Sequence, residues 1–301
     1  MKKLAPIIFI CYNRFNHTLK SLNALKNNKL AKNSKIFIFS DGPKKKGDEK
    51  KIIKIRNLLK KTKGFKDKKL IFRKKNYGNK KNIISAINQV FKKNKKIIVV
   101  EDDLVVSREF LNFMNLCLNY YRNHSEIWHI NGWSYPFLKN FSDDVAFLKS
   151  MNCWGWATWK NKWSKISMKE DKYISIFTKR MIHNFDIQSS TNNWSQIIRN
   201  KKNFLSTWAV FWHATIFLNN GITVYPKYPL VKNIGADGSG RMPKTNKYKN
   251  KLNGNFKKFK LIEKIDVKKD FIEREFKYFQ KNNTLKRKIF VYLKKFWFNS
   301  Y

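Results

Sequence analysis

Acidic residues are scarce in this chain. Its 301 residues hold 20 Asp and Glu against 65 Lys and Arg, a formal net charge of +45. A protein so short of negative charge attracts polyanions, whether nucleic acid, anionic lipid or phosphorylated small molecules. Part of the bias is compositional, because Lys, Asn, Ile and Phe are abundant even where no pattern is visible, as an AT-biased coding sequence produces. Cysteine is scarce too: Cys11, Cys117 and Cys153 lie far apart and form no C-x-x-C pair. That argues against a zinc site or a disulfide framework and suits a reducing compartment. No run of about 18 apolar residues is present; the nearest covers 208–218 and contains His213, which reads as a satisfied core residue. A membrane-spanning helix is not expected. The short apolar run after Lys2 and Lys3 is too brief for a signal peptide and reads as a strand, so a cytoplasmic location is expected.

Apolar residues, at 42%, are sufficient for a sizeable core. In the first 120 residues a short apolar run is followed repeatedly by a longer amphipathic one. Segments 7–11, 36–39, 70–72 and 97–100 are short and rich in β-branched or aromatic residues, as buried parallel strands are. The spacing of Ile83, Ile84, Ile87, Val90 and Phe91 predicts a helix over 79–92, and Ser107 is placed to N-cap another that carries Phe110, Leu111, Met114, Leu118 and Tyr121. Four alternations of strand and helix predict a doubly wound α/β sheet, because parallel strands need crossovers. Ligands of such sheets bind at the carboxyl ends of the strands. After about residue 125 the pattern changes, and nine of the ten tryptophans fall between Trp128 and Trp212. They form either a second aromatic core layer or, in part, the walls of a sugar pocket. Residues 1–125 thus read as a ligand-binding α/β half, 126–240 as an aromatic-rich second half of the same domain, and 241–301 as a basic loop and amphipathic tail.

The rare acids concentrate at one strand end. Glu101, Asp102 and Asp103 directly follow the fourth apolar run. Adjacent carboxylates repel one another, and a hard divalent cation relieves that repulsion by accepting oxygen ligands. The alternative is a solvated turn or a helix cap. Other strand ends carry Tyr12, Asn13 and Arg14, then Asp41 and Gly42, then Arg73, Asn76 and Gly78. An Asp at position 41 can accept from a base N–H or a ribose hydroxyl, although Asp-Gly-Pro is also an ordinary turn. Arg73 suits a phosphate or a structural ion pair.

The segments IFICYNR, FSDGP, RKKNYGN, VVEDDLVVSREFLNFM and CWGWATWKNKW, in that order, resemble bacterial GT-A sugar transferases related to the N-acetylglucosaminyltransferase I type, a glycosyltransferase family 2-like group. The resemblance covers roughly residues 5–240, with a nucleotide-sugar implied for the first half, 1–125, and the acceptor for the second, 126–240. It implies a GT-A-type fold with a mixed sheet flanked by helices, and metal-dependent, inverting transfer from a nucleotide-sugar, in the first instance a UDP-sugar, to a glycan or lipid-linked acceptor in surface polysaccharide synthesis. Asp103 would hold Mn²⁺ or Mg²⁺, with Glu101 and Asp102 on ribose or the transferred sugar. Asn13, Arg14, Asp41, Asn76 and Gly78 would lie along the nucleotide. Trp156 would wall the sugar pocket, and the loop from Gly235 to Gly240 would close over the donor. Where relatives carry a carboxylate base this chain has Ser206, and the relatives' Arg in the same helix is Phe211. Asp237 or Asp186 is then the candidate base, with Asp237 also readable as an Asp-Gly turn.

Residues 284–301 alternate apolar and basic positions at helical spacing, which suits either an anionic membrane surface on the inner face of the cell membrane or docking on the protein. Two other functional classes compete. A nucleic-acid binder would explain the charge, but the lysines are spread along the whole chain and no recognised binding motif is present, so no specific nucleic-acid partner is expected. A transferase fold retained as a sugar-binding scaffold would explain the missing base.

Overall fold

Ile7–Cys11 (β1) is buried along its whole length, as a strand covered on both faces must be. A computed structural model describes residues 3–240, 244, 252, 258–281, 283 and 289. After β1 come the helix Phe15–Lys26 (α1), the strand Lys35–Ser40 (β2), the helix Asp48–Lys61 (α2), the strand Asp67–Phe72 (β3), the helix Gly78–Phe91 (α3) and the strand Lys96–Glu101 (β4). Leu104–Val106 (β5) and the helix Phe110–Tyr120 (α4) follow. The remaining strands are Ile127–Asn131 (β6), Val145–Leu148 (β7), Trp156–Trp159 (β8), Ile222–Pro226 (β9) and Val231–Asn233 (β10). The remaining helices are Lys160–Trp163 (α5), Glu170–Ile176 (α6), Lys179–Phe185 (α7), Asn193–Lys201 (α8), Ala209–Leu218 (α9) and Lys269–Lys281 (α10).

Eight strands form one mixed sheet in the order β3-β2-β1-β4-β8-β6-β9-β7. β3, β2, β1 and β4 are parallel neighbours, β8 runs antiparallel to β4 and β6, and β9 pairs parallel with β6. The expected α/β sheet flanked by helices is therefore present, and it draws strands from both sides of residue 125. Successive residues of β1 point to opposite faces. Ile7 and Phe9 join Leu22, Leu25, Ile55 and Phe110 beneath α1, α2 and α4, while Ile8 and Ile10 join Ile83, Ile87 and a tryptophan cluster beneath α3 and α9. Chain direction reverses across the sheet at β1: β2 and β3 are added on one side, and α3 carries the chain back to place β4 on the other. That reversal opens a crevice beyond the carboxyl ends of β1 and β4.

Two local expectations are corrected. Ser107 does not cap α4; it begins a turn whose carbonyl accepts the Phe110 amide at 3.1 Å, and the helix starts after Glu109. The chain beyond 258 is not all tail: Phe259 meets Phe113 edge-on at 5.0 Å, Tyr121 donates its hydroxyl to the Ile262 carbonyl, and α10 packs Phe271 against Phe141 and Tyr278 against Tyr135. Segment 284–301, apart from the exposed Ile289, lies outside the described residues. Among the described residues no helix is long and apolar enough to cross a membrane.

Candidate active site

The chain leaves β4 at Glu101, turns through Asp102 and Asp103, and re-enters a strand at Leu104. So tight a turn needs its carbonyls held. The buried Ser21 hydroxyl of α1 spans it, donating toward Leu104 O at 2.6 Å and Glu101 O at 3.3 Å. From the far side, Ile234 N donates to Asp103 O at 2.8 Å, continuing the pairing of β10 with β5. Gly235 then passes so close that a Cβ there would lie 2.3 Å from Asp103 Oδ2, which only glycine avoids.

The acids face a cavity of about 590 Å³. Asn13, Arg14, Asp41, Asn76, Gly78, Glu101, Asp102 and Asp103 all line it, so eight of the residues singled out in sequence are brought to one place by four strand ends. Arg14 is central: its Nη2 lies 2.7 Å from Asp102 Oδ1 and 2.9 Å from Asp103 Oδ2. Burial opposes the guanidinium charge, but the two carboxylates outweigh it and hold Arg14 firmly protonated. Asp102 is 5% exposed, and its other oxygen accepts the Tyr12 amide at 3.3 Å. Burial raises Asp102 while Arg14 restrains it. For Glu101, burial first and Asp103 second push the carboxyl up to about 8. Its Oε2 accepts from Asn79 Nδ2 at 3.2 Å.

Asp41 has little capacity left for a ligand. Oδ1 accepts the amides of Gly42 and Tyr77, and Oδ2 accepts Gly78 N at 3.0 Å and Asn76 Nδ2 at 3.2 Å. Four donors saturate a carboxylate. Asp41 therefore ties the end of β2 to the start of α3, where Gly78 takes φ +69°, and the polar surface offered to a ligand there is Asn76 with Asn79 and Asn82. Asn13 donates to Asp48 Oδ1 at 3.1 Å, and Tyr12 gives its hydroxyl to Asp48 Oδ2 at 2.5 Å. Burial and this bond raise the Tyr12 phenol to about 12. Asp48, with the cavity-lining Lys44 and Lys45, was not foreseen. Its one sequence signal is an acid opening the amphipathic run of α2, which reads as a helix start.

Three expected site residues are placed differently, and a fourth is placed as expected but engaged by neighbours. Arg73 is held outside the cavity, donating to Asn82 Oδ1 and Ser85 Oγ and lying over the Tyr77 ring at 4.7 Å. Trp156 is fully buried, sandwiched against His129 at 5.1 Å and Trp208 at 5.5 Å, because its β8 position faces the tryptophan core and not the crevice. Asp186 caps α8 through a 2.9 Å bond from Trp194 N and lines no part of the crevice. Asp237 does sit in the expected closing loop, whose Ser239 and Gly240 line the cavity. Its carboxylate, however, accepts Ser239 N and Oγ and lies 3.1 Å from His17 Nε2. The Ser239 bonds hold it down at about 2, far below what a base working near neutrality needs.

Oxygen donors such as Asp103 suit Mg²⁺ or Mn²⁺. Among the described residues no three His, Cys, Asp or Glu side chains are arranged to cage an ion unaided. The donor set thus fits a cation held by one carboxylate, with the rest of its shell supplied by ligand and water, provided Arg14 yields Asp103 Oδ2.

No family model and no curated protein matches the sequence. Among solved structures the chain is similar to a mannosyltransferase from Pyrobaculum calidifontis in complex with GDP-Man and Mn²⁺, with 9% identity, a TM-score of 0.40, and 72% of this chain and 70% of that one covered. It is also similar to an active-site mutant of LgtC, with 10% identity, a TM-score of 0.39 and 73% and 72% covered. A third is S. aureus TarS in complex with UDP, with 17% identity, a TM-score of 0.30, and 42% of this chain and 34% of that one covered. All three likenesses are partial and remote, and what the cavity can do follows from its own residues.

Proposed function

We propose that the crevice between β1 and β4 binds a nucleoside diphosphate-sugar and that the protein is a GT-A-type glycosyltransferase acting on a glycan or lipid-linked acceptor. The observation that carries this reading is the acidic turn of Glu101 to Asp103 facing Arg14 at the point where strand order reverses, the place where open α/β sheets take nucleotides. Three cations, Arg14, Lys44 and Lys45, share that cavity with amide side chains able to address a base or ribose. A diphosphate satisfies the cations, and the carboxylates address the hydroxyls of ribose and sugar. Asp103 is the residue to hold Mg²⁺ or Mn²⁺, which when bound neutralises charge on the departing diphosphate. Arg14 reaches the same carboxylate, so donor and cation together would draw the guanidinium from Asp103 toward phosphate. Loop 235–240, tied at one end to Asp103 and meeting Arg14 at Gly240, is suited to cover the donor.

The test is thermal stabilisation by UDP-, GDP- and CDP-sugars, each with and without Mn²⁺. One donor with Mn²⁺ is expected to raise Tm by several degrees, and Asp103→Ala to abolish the shift. A shift indifferent to EDTA would sink the metal assignment, and no shift with any nucleotide would sink the donor site. Release of free sugar from the stabilising donor separates an enzyme from a sugar-binding scaffold.

A further inference from the structure

A second cavity, of about 670 Å³, shares no lining residue with the first. It lies between α7, the end of α9, α10 and the chain leaving β7. Its lining is mixed: Phe185, Phe217 and Phe271 contribute rings and Leu218 an alkyl side chain, interspersed with the amides of Asn184 and Gln188. Two buried ionisable side chains belong to this lining. His213 is 7% exposed, its ring 4.7 Å from that of Phe185, and neither ring nitrogen has a hydrogen-bond partner among the described residues. Burial lowers the imidazole to about 4, so the ring is neutral and offers one donor and one acceptor. Glu275 of α10 is 5% exposed and accepts from the Ser150 hydroxyl. Burial raises it to about 7, which leaves a substantial share of it protonated near neutrality and able to donate.

Part of the lining is strained. Ile187, Gln188 and Ser189 take φ of 50°, 52° and 62°, a left-handed run that a β-branched residue such as isoleucine rarely enters. It is held there by Ser189 N to His183 O at 3.0 Å and by Ser189 Oγ against His183 Nδ1 at 2.9 Å. The turn sets Gln188 on the cavity wall. Such strain persists where surrounding structure enforces it, and ligand clamps are a common setting. At the rim stand Lys149 and Arg180, both exposed and neither paired with an acid among the described residues.

Each feature narrows the occupant. Rings interspersed with hydroxyl, amide and imidazole groups accept both the hydroxyls and the apolar C–H face of a sugar ring. Cations at the mouth without an acidic partner among the described residues call for one acidic group beside the ring-lined part. We infer that this cavity binds a saccharide bearing a carboxylate or phosphate, its ring against Phe185, Phe217 and Phe271, its hydroxyls on His213 and Ser150, and its acidic group at Arg180 and Lys149. The inference stands apart from the nucleotide site and needs no donor.

Isothermal titration of the full chain with glucuronic acid, glucose 6-phosphate, glucose and inorganic phosphate tests it. Binding of one or both acidic sugars is expected, with glucose and inorganic phosphate each weaker by about tenfold, the loss of one charge-assisted contact. The acid that binds tells carboxylate from phosphate. Arg180→Gln, at an exposed position, is expected to bring the acidic sugar down to the level of glucose, and His213→Phe to weaken acidic and neutral sugar alike. Asp103→Ala leaves all of this unchanged. Inorganic phosphate binding as tightly as the sugar phosphate, binding untouched by Arg180→Gln, or binding lost in Asp103→Ala would each overturn the assignment.

Discussion

In the crevice beyond β1 and β4, Asp102 and Asp103 are answered by Arg14 at 2.7 and 2.9 Å, so opposite charge works against burial there, while Glu101 beside them, without such a pair, is pushed up to about 8. In the cavity under α10 the polar groups have no such partner, and burial instead lowers His213 to about 4 and raises Glu275 to about 7. A site that retains charge can exchange its internal ion pair for an ionic ligand. A site that suppresses charge selects for neutral hydrogen-bonding surface. The contrast shows why net charge says little about either: both cavities belong to one chain of +45, and the local pairing decides.

Removing Arg14 is expected to break this contrast most severely. Arg14→Ala leaves the buried Asp102 unpaired, so urea unfolding should show a loss of about 3 kcal/mol, while sugar binding in the second cavity is retained by the folded fraction. Glu275→Gln probes the other side. An unfolded carboxyl titrates near its ordinary 4.5, and the folded Glu275 holds its proton to about 7. Between those values the native state binds the extra proton, so this group's contribution falls as pH rises and is least favourable above 7. Glutamine cannot ionise, and the stability of Glu275→Gln relative to the parent should therefore grow by about 3 kcal/mol from pH 4.5 to pH 8. Comparing the two proteins removes the opposing effect of His129 and His213, lowered by burial to about 3 and about 4, which favours the fold as pH rises toward 6.5. The mildest change is Gly235→Ala. Its Cβ must displace the Asp103 carboxylate, so a stability cost of about 1 kcal/mol is expected. The nucleotide-dependent rise in Tm should be lost, and titration of the second cavity should be unaltered.

The four parallel strands were legible to within a few residues because each is a short run of β-branched and aromatic side chains whose period differs from that of its neighbours. The helix over Gly78–Phe91 was legible for the same reason. The gathering of Asn13, Arg14, Asp41, Asn76 and Gly78 around the acidic turn follows from strand order, since parallel strands present all their carboxyl ends on one edge. Which of them hold ligand and which hold one another was not legible. Asp41 spends its oxygens on amides 36 and 37 residues away, and Asp48 serves Tyr12 and Asn13 across 36 and 35 residues, pairings that no local pattern encodes. Trp156 illustrates the other limit. In a four-residue strand flanked by tryptophans on every side, periodicity cannot say which face meets the core, and the antiparallel pairing with β4 settles it. The α10 helix escaped notice because its buried Phe271 and Glu275 sit among lysines, and a carboxylate is not counted as a core-facing residue.

The short ladder between β5 and β10 joins Val106 to Val231, Val105 to Lys232 and Leu104 to Asn233, segments more than 120 residues apart. With Ile234 and Gly235 it behaves as a splice. Whatever distance the chain travels between the two segments, the acidic turn and the root of the glycine loop arrive in fixed phase. An attempt to graft the acidic turn onto another sheet would therefore have to carry residues 231–235 along with it, as a two-piece cartridge.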